Sequence, residues 1–206
     1  MNPTLTQTLT VPQAAEQRHS IRKYEPTPIP MSDLREILRL TGLAPSAFNA
    51  QPWRFVVVTD AHLKQQVCEA AHNQQQVANA AAVFVLYSDM KDTLAHLEDV
   101  IHPGMPAERR EAMKNNIQGL FGSMPESDRE AFGASQAYIA LGYLVLTAQS
   151  LGYASNPMSG FDADKLKQIL GLPSYSKIAA IVPMGIGAES GFPHHRLGVD
   201  RIATFR

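Results

Sequence analysis

Residues 44–55 read APSAFNAQPWRF and combine a turn with the start of a strand. Pro45 and Pro52 restrict the backbone at the two ends of the turn. Between them stand three side chains that both donate and accept hydrogen bonds: Ser46, Asn49 and Gln51. Residues 53–59 are rich in aromatic and β-branched side chains, which is typical of a strand. The pattern fits a well-capped loop, and it also fits the polar rim of a pocket for a planar heterocycle.

A second polar segment lies upstream, where residues 18–24 read RHSIRKY. Guanidinium groups suit phosphate because they bind its oxygens bidentately, and a hydroxyl adds one more hydrogen bond. A solvated basic face is the alternative. The whole chain has a formal net charge of −1, so this positive charge is local. We therefore expect a small anionic ligand and no nucleic-acid partner.

The two segments, in this order and near this separation, resemble the nitroreductase family of FMN flavoproteins. In that family an Arg-x-Ser-x-Arg-type segment holds the FMN phosphate and ribityl chain. A Pro-Ser-x-x-Asn-x-Gln-Pro-Trp segment then lines the flavin from the partner subunit. The resemblance assigns the first role to Arg18, His19, Ser20 and Arg22. It assigns the second role to Pro45, Ser46, Asn49 and Gln51.

The resemblance covers nearly the whole chain and implies further contacts with the flavin. Asn73 and Gln76 resemble positions beside the ring and the ribityl chain, although relatives often carry a cation in place of Gln76. A plain polar loop is the alternative for this segment. A later loop resembles the one along the isoalloxazine near its N5 atom, and it contains Pro157, Met158, Ser159 and Gly160. Relatives often have an acidic residue in place of Ser159, and the implied close approach is by backbone.

His194 and Arg196 resemble a Lys-x-Arg-type pair at the phosphate. No side chain receives a catalytic role, because the flavin carries the hydride chemistry. Residues 90–124, here called the excursion, are charged and contain Pro103 and Pro106. We expect two helices around a loop that form a mobile lid, with Phe121 as an apolar contact for the substrate.

The element pattern indicates mostly helix with at least three interleaved strands, at residues 53–59, 82–87 and 177–182. This predicts an α+β or α/β sandwich with one sheet covered by helices. Ser32 and Asp60 are each expected to cap a helix, either Asp162 or Asp164 is expected to cap another, and Pro183 is expected to mark an edge strand or a bulge. Residues 82–87 form a continuous apolar run, as expected of a strand in a sheet covered on both faces. The resemblance implies a nitroreductase-like α+β fold: one domain over residues 1–206, with a mixed sheet covered on both faces. It also implies an intertwined homodimer whose C-terminal tail embraces the neighbour.

Other features exclude several classes of protein. The single cysteine, Cys68, can form neither an internal disulfide nor a multi-cysteine metal site, and no metal is expected. The N-terminus lacks the pattern of a signal peptide. The most apolar run, at residues 137–148, is shorter than the roughly 20 residues that span a bilayer. We therefore expect a cytoplasmic protein without a membrane partner.

The function implied by the resemblance is that of an FMN-dependent oxidoreductase. It would use NADH or NADPH to reduce nitroaromatics, quinones or related small molecules by ping-pong hydride transfer through the flavin. One alternative is a non-catalytic flavin-binding or storage protein. Another is a relative of the same family with dehalogenase or flavin-fragmenting activity. The residues alone do not choose the physiological acceptor or the preferred nicotinamide.

Overall fold

The computed structural model describes residues 8–206, which form helices around one four-stranded sheet. The strands are β1 (Trp53–Val58), β2 (Ala82–Ser88), β3 (Ala154–Ser155) and β4 (Ile178–Gly185). The helices of the first half are α1 (Val11–Gln17), α2 (Met31–Thr41), α3 (Ala61–Ala70) and α4 (Gln75–Asn79). The remaining helices are α5 (Met90–Ala95), α6 (Leu97–Val100), α7 (Ala107–Gly122), α8 (Glu126–Ser150), α9 (Ala163–Leu170) and α10 (Val199–Ile202).

The sheet has the strand order β1-β2-β4-β3, and every neighbouring pair of these strands is antiparallel. The three strands expected from the sequence are confirmed, and the two-residue β3 is added at the edge. The mixed sheet implied by the resemblance is not found among the described strands, because all their neighbouring pairs are antiparallel. An isolated parallel bridge joins Ser20, outside the strands, to Ser155 of β3. This bridge places the basic segment beside β3.

Both faces of the sheet are covered, as expected. Val83 and Val85 of β2 pack on one side in a cluster that contains Val67 of α3 and Leu166 of α9. Phe84, which alternates with them, packs on the other side in a cluster that holds Ile37 of α2 and Leu144 of α8. Successive side chains of a strand point to opposite faces, so a strand buried on both sides needs an unbroken apolar sequence. This explains the continuous apolar run of β2.

Helix α8 is the longest element, with 25 residues. Its buried residues recur every three or four positions, which places them on one helical face. They are Glu130, Gly133, Ala137, Ala140, Leu144 and Ala148. The whole helix is long and apolar enough to span a membrane by length and composition, although its most apolar run is shorter. Apolar core helices of other folds share these properties. The burial of α8 along one face indicates that this face packs in the core of the fold.

Local capping signals were correct at two helices and wrong at a third. Asp60 accepts from Leu63 N at the start of α3, and Asp162 accepts from Lys165 N at the start of α9. The prediction that Ser32 caps α2 is wrong, because the helix begins at Met31, two residues before the start that a Ser32 cap would give, and Pro30 occupies the cap position. The fixed φ of Pro30 suits this position, and its carbonyl accepts the first helical hydrogen bonds.

The prediction that Pro183 marks an edge strand or a bulge is also wrong. Pro183 lies within β4, which runs between β2 and β3, and the register shift falls at Leu86 and Tyr87 instead. The Pro183 carbonyl accepts from Asn156 N on the side of β3, at 3.1 Å. The amide and carbonyl of one residue in a strand point to the same side, so the missing N–H of Pro183 faces the short β3 edge. The ladder between β2 and β4 therefore loses no donor there.

The excursion contains three helices, α5, α6 and α7, where two were expected. Its apolar side chains form a separate buried cluster instead of a thin surface layer. The buried members are Met90, Leu97, Ile101, Ile117 and Phe121. The excursion thus has a small core of its own, which the spacing of its few apolar residues did not indicate.

Candidate functional site

A basic pocket forms where the N-terminal segment meets the C-terminal tail. Its volume is about 190 Å³. The first group of lining residues is Arg18, His19, Ser20 and Arg22, and the second is Phe192, Pro193, His194 and Arg196. All six residues that the sequence assigned to the phosphate are therefore present in one cavity, although they come from opposite ends of the chain.

Backbone pairing with the sheet edge holds the N-terminal half of this pocket in place. Ile21 N donates to Ser155 O at 3.2 Å, next to the parallel bridge of Ser20 and Ser155. The Tyr24 hydroxyl contacts two carbonyls, at 2.7 Å to Ile21 O and 3.0 Å to Pro183 O. Burial raises the pKa of Tyr24, the nearby Glu189 adds to the rise, and Arg22 opposes it. The hydroxyl therefore keeps its proton and fastens the segment to β4.

Two histidines connect the two halves of the pocket. The rings of His19 and His194 stack with 4.4 Å between their centroids and 23° between their planes. His194 Nε2 also lies 3.0 Å from Glu16 O, near the end of α1. This contact explains how a tail that is otherwise exposed returns to the basic segment.

Among the described residues that line the pocket, three are arginines and none is a carboxylate, although Glu189 nearby accepts from Arg22 N at 2.7 Å. Within residues 8–206, Arg18, Arg22 and Arg196 take part in no salt bridge. Burial lowers the pKa of Arg18, and the positive charge of Arg196 lowers it further. Placing positively charged guanidinium groups close together raises the electrostatic free energy unless an anion binds between them. The arrangement therefore suits a phosphate or another compact anion.

A second group of predicted residues comes together beside this pocket. Gln76 Nε2 donates to Met158 Sδ at 3.6 Å. Gln74 Nε2 donates to Gly160 O at 3.1 Å, which joins the turn at residues 73–76 to the loop at residues 157–160. Gln74 was missed by the sequence interpretation, because a glutamine in a polar run has no distinguishing pattern.

The turn and the loop keep several groups available for a ligand. Asn73 has a left-handed backbone with φ of 57°, and its side chain makes no hydrogen bond to the described residues. Ser159 and Gly160 are exposed, and their N–H groups donate to no carbonyl in this part of the chain. The loop directly follows β3, which holds Ser20, so the basic pocket and this polar wall share one edge of the sheet.

The turn at residues 44–55 lies apart from the other predicted site residues. Its polar groups bond mainly within the turn: Gln51 N donates to Ser46 Oγ at 3.0 Å, and Gln51 Nε2 donates to Asn49 O at 3.1 Å. Asn49 Nδ2 donates outward, to Val100 O of the excursion. Pro45 is exposed, and no residue of the turn lines the basic pocket. One copy of the chain therefore does not bring all predicted site residues together.

Phe121 does not occupy the position expected of a substrate contact. Its side chain is only 1% exposed and belongs to the buried cluster of the excursion. Phe48 of the turn packs edge-on against it, with 6.0 Å between the ring centroids, and Phe48 itself is 37% exposed. The aromatic side chain that faces solvent here is thus Phe48.

Comparisons with known proteins identify relatives along nearly the whole chain. The family model described as "Nitroreductase family" matches residues 15–186. The chain is 49% identical to a Thermus thermophilus protein named NADH dehydrogenase, over 94% of both chains. It is 30% identical to YdgI of Bacillus subtilis, whose name places it among the NAD(P)H nitroreductases, over 92% of this chain and 94% of YdgI.

Solved structures show the same fold. An Exiguobacterium sibiricum protein, solved in complex with FMN, superposes with a TM-score of 0.89 at 28% identity. The match covers 98% of this chain and 99% of that structure. A Streptococcus pneumoniae nitroreductase family protein gives a TM-score of 0.83 at 25% identity, over 96% of this chain and all of that structure. On the evidence of the family model and of relatives that match from end to end, the chain is a member of the nitroreductase family.

Proposed function

We propose that this protein is an FMN-dependent oxidoreductase that takes electrons from NADH or NADPH and delivers them to nitroaromatics, quinones or related small acceptors. One observation carries the proposal. Three arginine side chains that form no salt bridge within residues 8–206 meet beside a polar wall, at one sheet edge of a nitroreductase-family chain. The FMN complex of the Exiguobacterium sibiricum protein and the name of the Thermus thermophilus relative support it.

The residues present fit the phosphate of FMN. Arg18, Arg22 and Arg196 supply charge-assisted donors, and the Ser20 side chain makes no hydrogen bond to the described residues. A phosphate carries up to two negative charges and several acceptor oxygens, which matches a cavity of about 190 Å³ lined by these donors. The stacked histidines would close the pocket on the side of the tail.

The polar wall fits the flavin ring. Asn73 and the backbone N–H groups at residues 159–160, which donate to no described carbonyl, present donors to a heteroaromatic edge. The Gln76 amide nitrogen is already bonded to Gln74 and Met158, so its amide oxygen would face the ligand. The half-buried Pro157 presents apolar surface. Backbone donors do not depend on the side chain, so Ser159 in place of an acidic residue is compatible with this role. When bound, FMN supplies the hydride chemistry, and the chain contributes binding and orientation.

The remaining predicted contacts would come from a second copy of the chain. Pro45, Ser46, Asn49 and Gln51 lie outside the basic pocket of their own chain. The tail carries exposed apolar side chains, with Phe205 at 81% and Ile202 at 70% exposure. Five large apolar side chains within residues 192–205 are more than half exposed, and a concentration of this kind favours a surface that binds a partner. We therefore propose a single-domain chain that forms an intertwined homodimer, with each flavin site built from both copies.

The test begins with the purified protein, which we expect to be yellow with about one FMN per chain. Free FMN should raise its melting temperature, because the ligand binds only the folded state. Anaerobic mixing with NADH and then NADPH should bleach the flavin rapidly, and an acceptor panel should restore the colour. A colourless protein whose melting temperature ignores FMN would contradict the proposal. Bound flavin that reacts with neither nicotinamide would favour a storage role.

A further inference from the structure

Arg54 connects the turn at residues 44–55 to the excursion. Its Nη1 donates to two carbonyls, at 3.0 Å to Gln51 O and 2.8 Å to Trp53 O. Its Nη2 pairs with Asp92 Oδ2 in α5. One planar guanidinium therefore holds the backbone at the end of the turn and the first helix of the excursion at the same time.

The turn needs such support because its backbone is strained. Phe48 and Asn49 have φ of 57°, and Gln51 has φ of 43°. Left-handed conformations of residues other than glycine persist only where the surroundings hold them in place, and they concentrate at functional sites. The Gln51 carbonyl that Arg54 binds belongs to one of the three strained residues.

Further contacts join the same two segments. Asn49 Nδ2 donates to Val100 O at 2.6 Å, and Phe48 packs edge-on against Phe121. Asp89 N, just before α5, donates to Pro52 O at 2.8 Å. The excursion and the residue just before it thus contact the second half of the turn at Phe48, Asn49 and Pro52.

Asp92 is well prepared as the partner of Arg54. Its hydrogen bond with Arg54 lowers the pKa of Asp92, which burial partly offsets, and His96 adds a smaller contribution. Its backbone N–H donates to Asp89 Oδ1, and its second carboxylate oxygen lies 3.0 Å from His96 Nδ1. Arg54 and His96 therefore hold the carboxylate from two sides, and the bond to Asp89 holds the backbone that carries it.

We infer that Arg54 is a positioning residue: through its bond to the excursion, it sets the geometry of the turn at residues 44–55. The turn then shapes the side of the flavin site at which the electron acceptor binds. The excursion then supports the turn, in contrast to the mobile lid that its composition predicted. This inference rests on the proposed function, because the turn matters for the reaction only if it lines the flavin.

The test compares Arg54→Met, Arg54→Lys and Asp92→Asn with the wild type. Arg39→Met is the control, since Arg39 forms an exposed salt bridge with Glu36 and touches neither segment. We expect Arg54→Met to raise the acceptor KM about tenfold with a smaller change in kcat, as befits the loss of charge-assisted hydrogen bonds. Arg54→Lys should recover part of this loss, since an ammonium can reach Asp92 but lacks the fork for both carbonyls.

Two further measurements separate positioning from general stability. Hydrogen exchange on the FMN-free protein should show faster exchange in residues 46–51 for Arg54→Met, and unchanged exchange there for Arg39→Met. In a double-mutant cycle, Asp92→Asn should add little to Arg54→Met. A lower melting temperature with wild-type KM and wild-type exchange at residues 46–51 would overturn the inference. Because exchange needs no flavin, it still tests the role of Arg54 if the wild type proves unable to bind FMN.

Discussion

His19 and His194 lie in ring-to-ring contact, 4.4 Å apart between centroids, although they come from opposite ends of the chain. The contact brings the tail, with Arg196, over the segment that holds Arg18 and Arg22. The pocket therefore depends on a long-range contact as much as on the basic residues themselves.

Replacing His194 tests this contact. His194→Ala removes the stack and the hydrogen-bonding contact with Glu16 O, so FMN should dissociate more readily. An aromatic pair is worth about 0.5–1.5 kcal/mol, which corresponds to a loss of affinity of about two- to tenfold. His194→Phe, which keeps an aromatic ring, should retain much of the affinity. Equal FMN affinity in all three proteins, measured by titration of the FMN-free form, would show that the stack does not shape the pocket.

The arginines of the pocket should contribute more than the histidine. Arg22→Ala and Arg196→Ala each remove a charge-assisted donor worth about 1.5–3 kcal/mol, so FMN affinity should fall at least tenfold. The melting temperature of the FMN-free protein should change little, because neither side chain takes part in a salt bridge within residues 8–206. Arg109→Ala is the control, since this exposed arginine lies on α7, away from the pocket. Unchanged affinity in both pocket variants would place the phosphate elsewhere.

Tyr24 should stabilise the fold and make stability depend on alkaline pH. Tyr24→Phe loses the hydroxyl contacts to Ile21 O and Pro183 O, and should cost about 1–3 kcal/mol of unfolding free energy. Because burial raises the pKa of Tyr24 above its unfolded value, its contribution is complete below about pH 10 and is lost as pH rises further.

Urea unfolding at several pH values measures both effects. The wild type should lose stability above about pH 10 more steeply than Tyr24→Phe. Tyr153 also has a raised pKa, through burial and its hydrogen bond with Asp33, so part of the slope should remain in the variant. Parallel pH profiles for the two proteins would show that Tyr24 does not titrate as its buried position requires.

The homodimer can be tested by shortening the tail while keeping the pocket. A chain ending at Gly198 loses Val199, Ile202 and Phe205, which are exposed apolar residues, but keeps His194 and Arg196. We expect the wild type to be dimeric by light scattering. The shortened chain should be monomeric at protein concentrations at which the wild type is still a dimer. A wild-type monomer that carries FMN would contradict the two-copy site.

The kinetics should follow from a shared cavity. No separate nicotinamide-binding segment is evident in the sequence, so donor and acceptor should bind in turn at the same face of the flavin. Double-reciprocal plots at several acceptor concentrations should then be parallel, and excess of one substrate should inhibit competitively against the other. Intersecting lines, together with a detectable ternary complex, would require two separate pockets.

The sequence by itself determined the features that depend on neighbouring residues. The unbroken apolar run of β2 predicted a strand buried on both faces, Asp60 marked the start of α3, and the pair Asp162 and Asp164 marked the start of α9. Such signals are local, since a cap or an alternating pattern acts within a few positions of the chain. The family motif around Ser46 and Trp53 likewise identified the family that the comparisons confirm.

Only the tertiary structure decided the features that depend on distant contacts. The strand order placed Pro183 inside the sheet, and packing within the excursion buried Phe121. Gln74 became part of the polar wall through its bond to Gly160, and Arg54 became a link to Asp92. Each of these roles belongs to a pair of residues far apart in the chain. The free energy of such a contact depends on which residue the fold places opposite the side chain. The sequence around either residue alone does not contain this information.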